Sequence, residues 1–280
     1  MLFNAIWPQE LITSSFAFYI LYIPLFLFGS VVGSFLNVVI FRTPQILLSE
    51  WEKEESEDEE PLEIPDHFFQ RLIFSIKYIS IDLFLSFAYI FQDFLKESSL
   101  IVKGISFPAS HCGHCKTNIL WYDNIPVISW FILQGRCRKC RQAYSFRYPF
   151  IELTTGLLFI FALYLKGPEL QTLFWLALFS VLWSIFWIDI DTQFVFNVMT
   201  YPSILLGILY NVFIGDLKLA LMGGFIAWLL FESIMFLSIS LLKKEGMGGG
   251  DVKLAIMLGV WLGPSLLLIA LGLAFVLGTL

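Results

Sequence analysis

Basic residues are missing from the first 41 positions of this 280-residue chain, where no Lys or Arg precedes Arg42. That absence removes the charged leading region a cleaved secretory signal needs, so the apolar run over 16–41 reads as a retained transmembrane helix. Charge is scarce throughout: 14% of residues are charged against 58% hydrophobic, and the mean hydropathy is +0.79. Soluble domains carry about a quarter charged residues, so the composition excludes a soluble protein. No basic face with interleaved aromatics is present and the net charge is −6, which excludes nucleic acid as a partner. No glycine-rich dinucleotide-type loop is found in the polar segment, and the glycine cluster at 246–250 lacks a preceding soluble strand. No internal repeat is visible. Cysteine is confined to four positions, all between Cys112 and Cys140.

Hydrophobic length and aromatics are abundant, with 30 Phe and 9 Trp, as lipid-facing surfaces and interfacial belts require. Apolar runs over 150–165, 170–190, 198–214, 219–242 and 254–280 join the first to give at least six spans. The last run ends with the chain. Within the first helix, Gly29-Ser30-Val31-Val32-Gly33-Ser34 places small residues at helical spacing, which suits close packing against another helix. Between the first and second spans lies a polar stretch with three parts. An acidic run over 50–60 reads as a solvated, flexible strip. A segment over 68–95 reads as an interfacial amphipathic helix. Pro108 opens a compact cysteine segment that ends near Tyr148-Pro149. The fold class is therefore all-α, a polytopic helical bundle, divided as 1–41 (first span), 42–148 (polar segment with its acidic insertion) and 149–280 (membrane core).

Charge sets the orientation. Of the 17 Lys and Arg, twelve lie between Arg42 and Arg147, and Lys243, Lys244 and Lys253 flank a glycine cluster. With the amino terminus outside, these fifteen fall in the cytoplasm and only Lys166 and Lys218 outside, as the positive-inside rule demands. The cysteine segment, the end of the third span and the start of the sixth then share the cytoplasmic side.

Two carboxylates sit at that boundary. Asp189 closes the third span and Asp251, delivered by Gly246-Met247-Gly248-Gly249-Gly250, opens the sixth. A carboxylate at a membrane boundary is costly unless used. Two brought together hold one proton between them, so that one activates water while the other donates to a scissile carbonyl. Gly248, Gly250 and Lys253 form the supporting loop of that site. The alternative is an Asp251 helix cap and a solvated Asp189. Asp191 and Asp216 are competitors, although Asp216 falls on the opposite side. Glu232 lies mid-span and reads as a polar contact between helices. Cys112-x-x-Cys115 and Cys137-x-x-Cys140, with 21 residues between the pairs, form a tetrahedral thiolate set for a closed, structural zinc ion. Two disulfides are the alternative, disfavoured by a cytosolic location.

The run from Lys244 to Leu254, with Gly248-Gly249-Gly250-Asp251 at its centre, resembles the GxGD signature of bacterial type IV prepilin peptidases. Three further stretches resemble the same family in the same order. They are Gly33-Ser34-Phe35-Leu36-Asn37 through Arg42, Asp123-Asn124-Ile125-Pro126 through Trp130, and Gly135-Arg136-Cys137 through Arg147-Tyr148-Pro149 and Glu152. The resemblance implies an inner-membrane aspartyl protease with Asp189 and Asp251 as its catalytic pair. It also implies a zinc-ribbon-like cytoplasmic segment and a second activity, S-adenosylmethionine-dependent N-methylation of the new amino terminus. The implied partners are prepilins or type II secretion pseudopilins, cut after a glycine on the cytoplasmic side, and the lipid bilayer. Two departures stand out: Phe196-Asn197 where the family has Pro followed by Asp or Asn, and a longer stretch over 47–105. The rivals are a peptidase without methylation and a non-enzymatic assembly or transport protein with a zinc docking module.

Overall fold

The computed structural model describes residues 18–58, 92, 94–242 and 248–278. Among the described residues the regular elements are helices, with only two isolated β-bridges besides. Among the described residues six helices are long and apolar enough to cross a membrane, in agreement with the sequence. They belong to two compact units, one formed by 1–46 with 101–192 and the other by 47–100 with 193–280.

The first unit begins with a π-helical turn, Phe18–Tyr22, leading into α1, Ile23–Asp58; α1 leaves the unit after Ile46. A second helix, α2, covers 94–106 and enters the unit at Ile101. The short α3 (Ile128–Ile132) follows, then the antiparallel pair α4 (Arg147–Lys166) and α5 (Leu170–Thr192). The small residues of α1 meet α4 directly. A Cβ on Gly33 would lie 2.7 Å from the Cα of Glu152, and one on Gly29 would lie 2.9 Å from the Cα of Gly156. Lipid offers no hydrophobic force to join helices, so close backbone approach supplies the contact. Phe159, Ala162 and Leu176 form the buried seam of α4 and α5.

The second unit holds α6 (Asn197–Ile214), α7 (Leu217–Leu237), a π-helical turn (Ser238–Leu242) and α8 (Gly249–Gly278). Helices α7 and α8 cross glycine on glycine: a Cβ on Gly223 would stand 2.1 Å from the carbonyl oxygen of Gly259. Polar links join α6 to α8, since Asn211 donates to the Val260 carbonyl at 3.0 Å and Trp261 Nε1 to the Ser203 carbonyl at 2.8 Å. Helix α8 bends at Gly263 (φ 70), immediately before Pro264, because proline removes a helical hydrogen bond. Phe28, Phe161, Leu209 and Leu268 are exposed, as lipid-facing side chains are.

One expectation is corrected. The acidic run expected as a flexible strip is helical through Asp58, as the continuation of α1; its last two residues lie outside the described set. Leu, Glu and Lys are good helix formers, and Glu50 pairs with Lys53 one turn on at 3.4 Å. Charge density alone did not melt the helix. The interfacial helix expected over 68–95 lies outside the described residues except at 92, 94 and 95.

Candidate active site and metal centre

Asp189 stands exposed near the carboxyl end of α5, in the first unit. Its surroundings are fixed from two residues to either side. Arg147, at the first position of α4, donates to Asp191 at 2.7 Å and to the Trp187 carbonyl at 3.2 Å. The same guanidinium lies 4.4 Å above the Trp187 ring. A cation at a helix carboxyl end also satisfies carbonyls the helix leaves unpaired. Asp191, a competitor for the catalytic role by sequence, is thus the anchor of this clamp. Neither its tether nor the role of Arg147 was legible in the sequence, although Arg147 belongs to the Arg-Tyr-Pro motif noted there.

Asp251 stands exposed in the first turn of α8, in the second unit. Its backbone N–H donates to the Gly248 carbonyl at 3.1 Å, and the positive end of a helix favours a carboxylate there. Gly250 sits at a close approach: a Cβ on it would lie 3.1 Å from the Cβ of Val195 and 3.2 Å from its carbonyl oxygen, tighter than ordinary van der Waals contact. Val195 is six positions after Asp189 in the chain. Lys253 donates to Asn197 Oδ1 at 2.8 Å and lies 5.7 Å above the Tyr201 ring. The loop after α5 is further packed by Trp51, whose ring meets Phe194 and Phe196 at 5.7 and 5.5 Å. Of the other acids weighed, Asp216 immediately precedes α7 and donates its N–H to the Asn211 carbonyl. Glu232 lies half-buried in α7.

The four cysteines converge. Their Sγ atoms all lie within 4.8 Å of one another, with Cys112 and Cys140 3.7 Å apart and Cys115 and Cys137 3.9 Å apart. A disulfide bond is about 2.05 Å long, whereas thiolates about 2.3 Å from a tetrahedral ion stand about 3.8 Å apart. The thiols are free, and the cluster can hold a metal ion. Two equivalent knuckles build it. In each, the first cysteine accepts from the residue four later (Lys116, Arg141) and donates to the residue five later (Thr117, Gln142). Lys116 and Arg141 take positive φ, 55 and 59, and a bridge closes each turn, His111 with Asn118 and Arg136 with Ala143. Backbone N–H groups of Cys140 and Lys139 pull the Cys137 thiol down to about 6. Beside the knuckles, Arg138 binds Asp123 through two N–H groups, one at 2.8 Å, and this bond holds the Asp123 carboxyl below its usual range.

A cavity of about 400 Å³ opens in the first unit between α1 and the residues that precede and follow the first knuckle. Ser34, Arg42, Ser106, Asn124 and Pro126 are among its walls. Arg42 donates to the carbonyls of Gly104, Ile105 and Pro108, closing the carboxyl end of α2 onto α1. This cavity had no sequence signal; its residues are scattered over more than ninety positions.

Two family models match along the chain. Residues 27–166 match the bacterial peptidase A24 N-terminal domain, and residues 176–280 match the type IV leader peptidase family. The prepilin leader peptidase/N-methyltransferase of Aeromonas hydrophila is 34% identical over 259 residues, which cover 90% of this chain and 77% of that one. That of Neisseria gonorrhoeae is 34% identical over 245 residues, covering 85% and 73%. That of Klebsiella pneumoniae is 40% identical over 172 residues, covering 59% and 75%. No solved structure matches.

Proposed function

The chain belongs to the type IV leader peptidase family and is a multi-pass inner-membrane protein, and from that premise we propose that it cuts the leader of type IV prepilins or pseudopilins and methylates the amino terminus so released. Asp189 and Asp251 act as one acid pair. A shared proton leaves one carboxylate ionised to draw a proton from water, while the protonated partner donates to the carbonyl of the bond after the leader glycine.

The observation that carries this reading is the contact of Val195 with Gly250. The chain running on from Asp189 there touches the residue immediately before Asp251, and glycine leaves room for it. The clamp of Arg147 on Trp187 and Asp191 supports the same reading by fixing the helix end that bears Asp189. The active side faces the cytoplasm, with the amino terminus outside, because fifteen of the 17 Lys and Arg then lie inside. Gly248, Gly250 and Lys253 shape the loop.

The metal held by Cys112, Cys115, Cys137 and Cys140 is zinc, in a structural role, since four protein ligands leave no position for water. S-adenosylmethionine, when bound, supplies a methyl group carried on a sulfonium. The test is cleavage of a prepilin in membranes by the wild-type protein and by Asp189→Asn and Asp251→Asn. Loss of cleavage in both variants, each still inserted in the membrane, is expected. Normal cleavage by either variant refutes the acid pair, and mass analysis of the pilin amino terminus reads methylation separately.

A further inference from the structure

Arg42 is the first basic residue of the chain and closes the apolar run of α1. It is also the one charged wall of the cavity beside the first knuckle. Its guanidinium donates to the carbonyls of Gly104, Ile105 and Pro108. Among the described residues these bonds use three of its five N–H groups. Their acceptors are uncharged, and among the described residues no carboxylate pairs with Arg42. A guanidinium so placed selects an anion.

The other walls restrict which anion. Val31, Phe35, Val38 and Arg42 recur at i, i+4, i+7 and i+11, so they share one face of α1. Val31 and Phe35 are exposed there, as side chains facing lipid are. From Val31 to Arg42 the helix rises about 16 Å, close to the hydrocarbon depth of one leaflet, about 15 Å. The cavity is therefore apolar along α1 and polar where Arg42, Ser106 and Asn124 border it. That is the order of chain and headgroup in a phospholipid.

The segment that supplies Asn124 and Pro126 lies in the same interface. Trp121 is 81% exposed, and Ile128, Phe131 and Ile132, at i, i+3 and i+4 of α3, are exposed together. Trp130 meets Phe146, which meets Phe150 in α4, so α3 stands beside the start of that span. Exposed aromatic and aliphatic side chains at the start of a span belong in the headgroup layer. Five Lys and Arg stand against one Asp over 107–146, an excess that survives the two negative charges of a tetrathiolate zinc centre. Basic surface at a bilayer attracts anionic lipid.

We propose that this cavity seats one anionic glycerophospholipid, its phosphate on Arg42 and an acyl chain along Val31, Phe35 and Val38. The bound lipid joins α1 to the cysteine segment at the membrane surface. The inference goes beyond the leader-peptidase reading and does not depend on it. A free phosphate offers the same charge to Arg42 but nothing to the apolar face of α1.

The test uses the full chain, stripped of lipid in detergent and titrated with dioleoylphosphatidylglycerol or dioleoylphosphatidylcholine, with bound lipid counted by native mass spectrometry. Arg42→Gln removes the charge, Ser106→Trp fills the cavity, and Lys218→Gln removes an exposed charge elsewhere. One phosphatidylglycerol per chain is expected, held at least tenfold more tightly than phosphatidylcholine. Tenfold weaker binding is expected in Arg42→Gln and in Ser106→Trp, with Lys218→Gln unchanged. Equal affinity for the two lipids overturns the proposal, as does wild-type affinity in both cavity variants. Glycerol phosphate or a synthetic apolar peptide that binds more tightly than the lipid, and loses that binding in Arg42→Gln, assigns the cavity to a soluble anion or to substrate and also overturns it. If Arg42→Gln elutes as an aggregate, Ser106→Trp alone decides.

Discussion

Arg147 and Asp191 form an ion pair at 2.7 Å across the ends of α4 and α5, and the same guanidinium lies over the Trp187 ring, so the helix turn that carries Asp189 is pinned from its other face. Arg147→Gln removes the ion pair and the ring contact together. A partly exposed pair and a cation–π contact are each worth up to about 1 kcal/mol. The expected result is a thermal midpoint lowered by a few degrees and a several-fold drop in the rate of prepilin cleavage, with substrate affinity little changed. Arg147→Lys restores charge without the planar fork and falls between the two. Cleavage kinetics of both variants in proteoliposomes provide the check.

Gly250→Ala places a methyl 3.1 Å from Val195 Cβ, whereas a Cβ on Gly249 meets nothing within 4 Å. Overpacking of that kind costs about 1–3 kcal/mol. Gly250→Ala is therefore expected to cut leader cleavage by tenfold or more while Gly249→Ala leaves it near normal. Equal activities for the two variants would remove the contact from the argument.

The crossing of α7 and α8 tolerates no side chain at Gly223, where a Cβ would stand 2.1 Å from the Gly259 carbonyl oxygen. Backbone cannot retreat as a side-chain end can, so Gly223→Leu is expected to abolish the folded protein. Gly272, with nothing within 4 Å, accepts leucine freely. Yield after membrane extraction and gel filtration separates the two outcomes.

Removal of the metal is expected to release one ion per chain and expose four titratable thiols, read by mass spectrometry of metals and by thiol reagent. In the metal-free protein the Cys137 thiol, drawn from 9.0 to about 6, favours the folded cysteine segment only as thiolate. That contribution is full above pH 9 and fades as the pH falls toward 6. Cys137→Ser is expected to reduce this pH dependence and leave the part that Cys115, also lowered, contributes, and thermal melts of the metal-free protein across that window measure both.

The sequence by itself determined the membrane class, the count of spans, the cysteine cluster and the two candidate acids. Each of these rests on local chemistry: apolar length against bilayer thickness, thiols paired at one-turn spacing, carboxylates at span ends. The acidic run misled because charge density says nothing about whether a helix already under way will stop; α1 carries it on to Asp58. Only the tertiary structure showed that Asp191 pairs with Arg147, that Gly250 packs closely on Val195, and that a cavity is walled by residues from Val31 to Pro126. These depend on which side chains meet across helices, and a single strand of letters carries no record of partners brought together by packing.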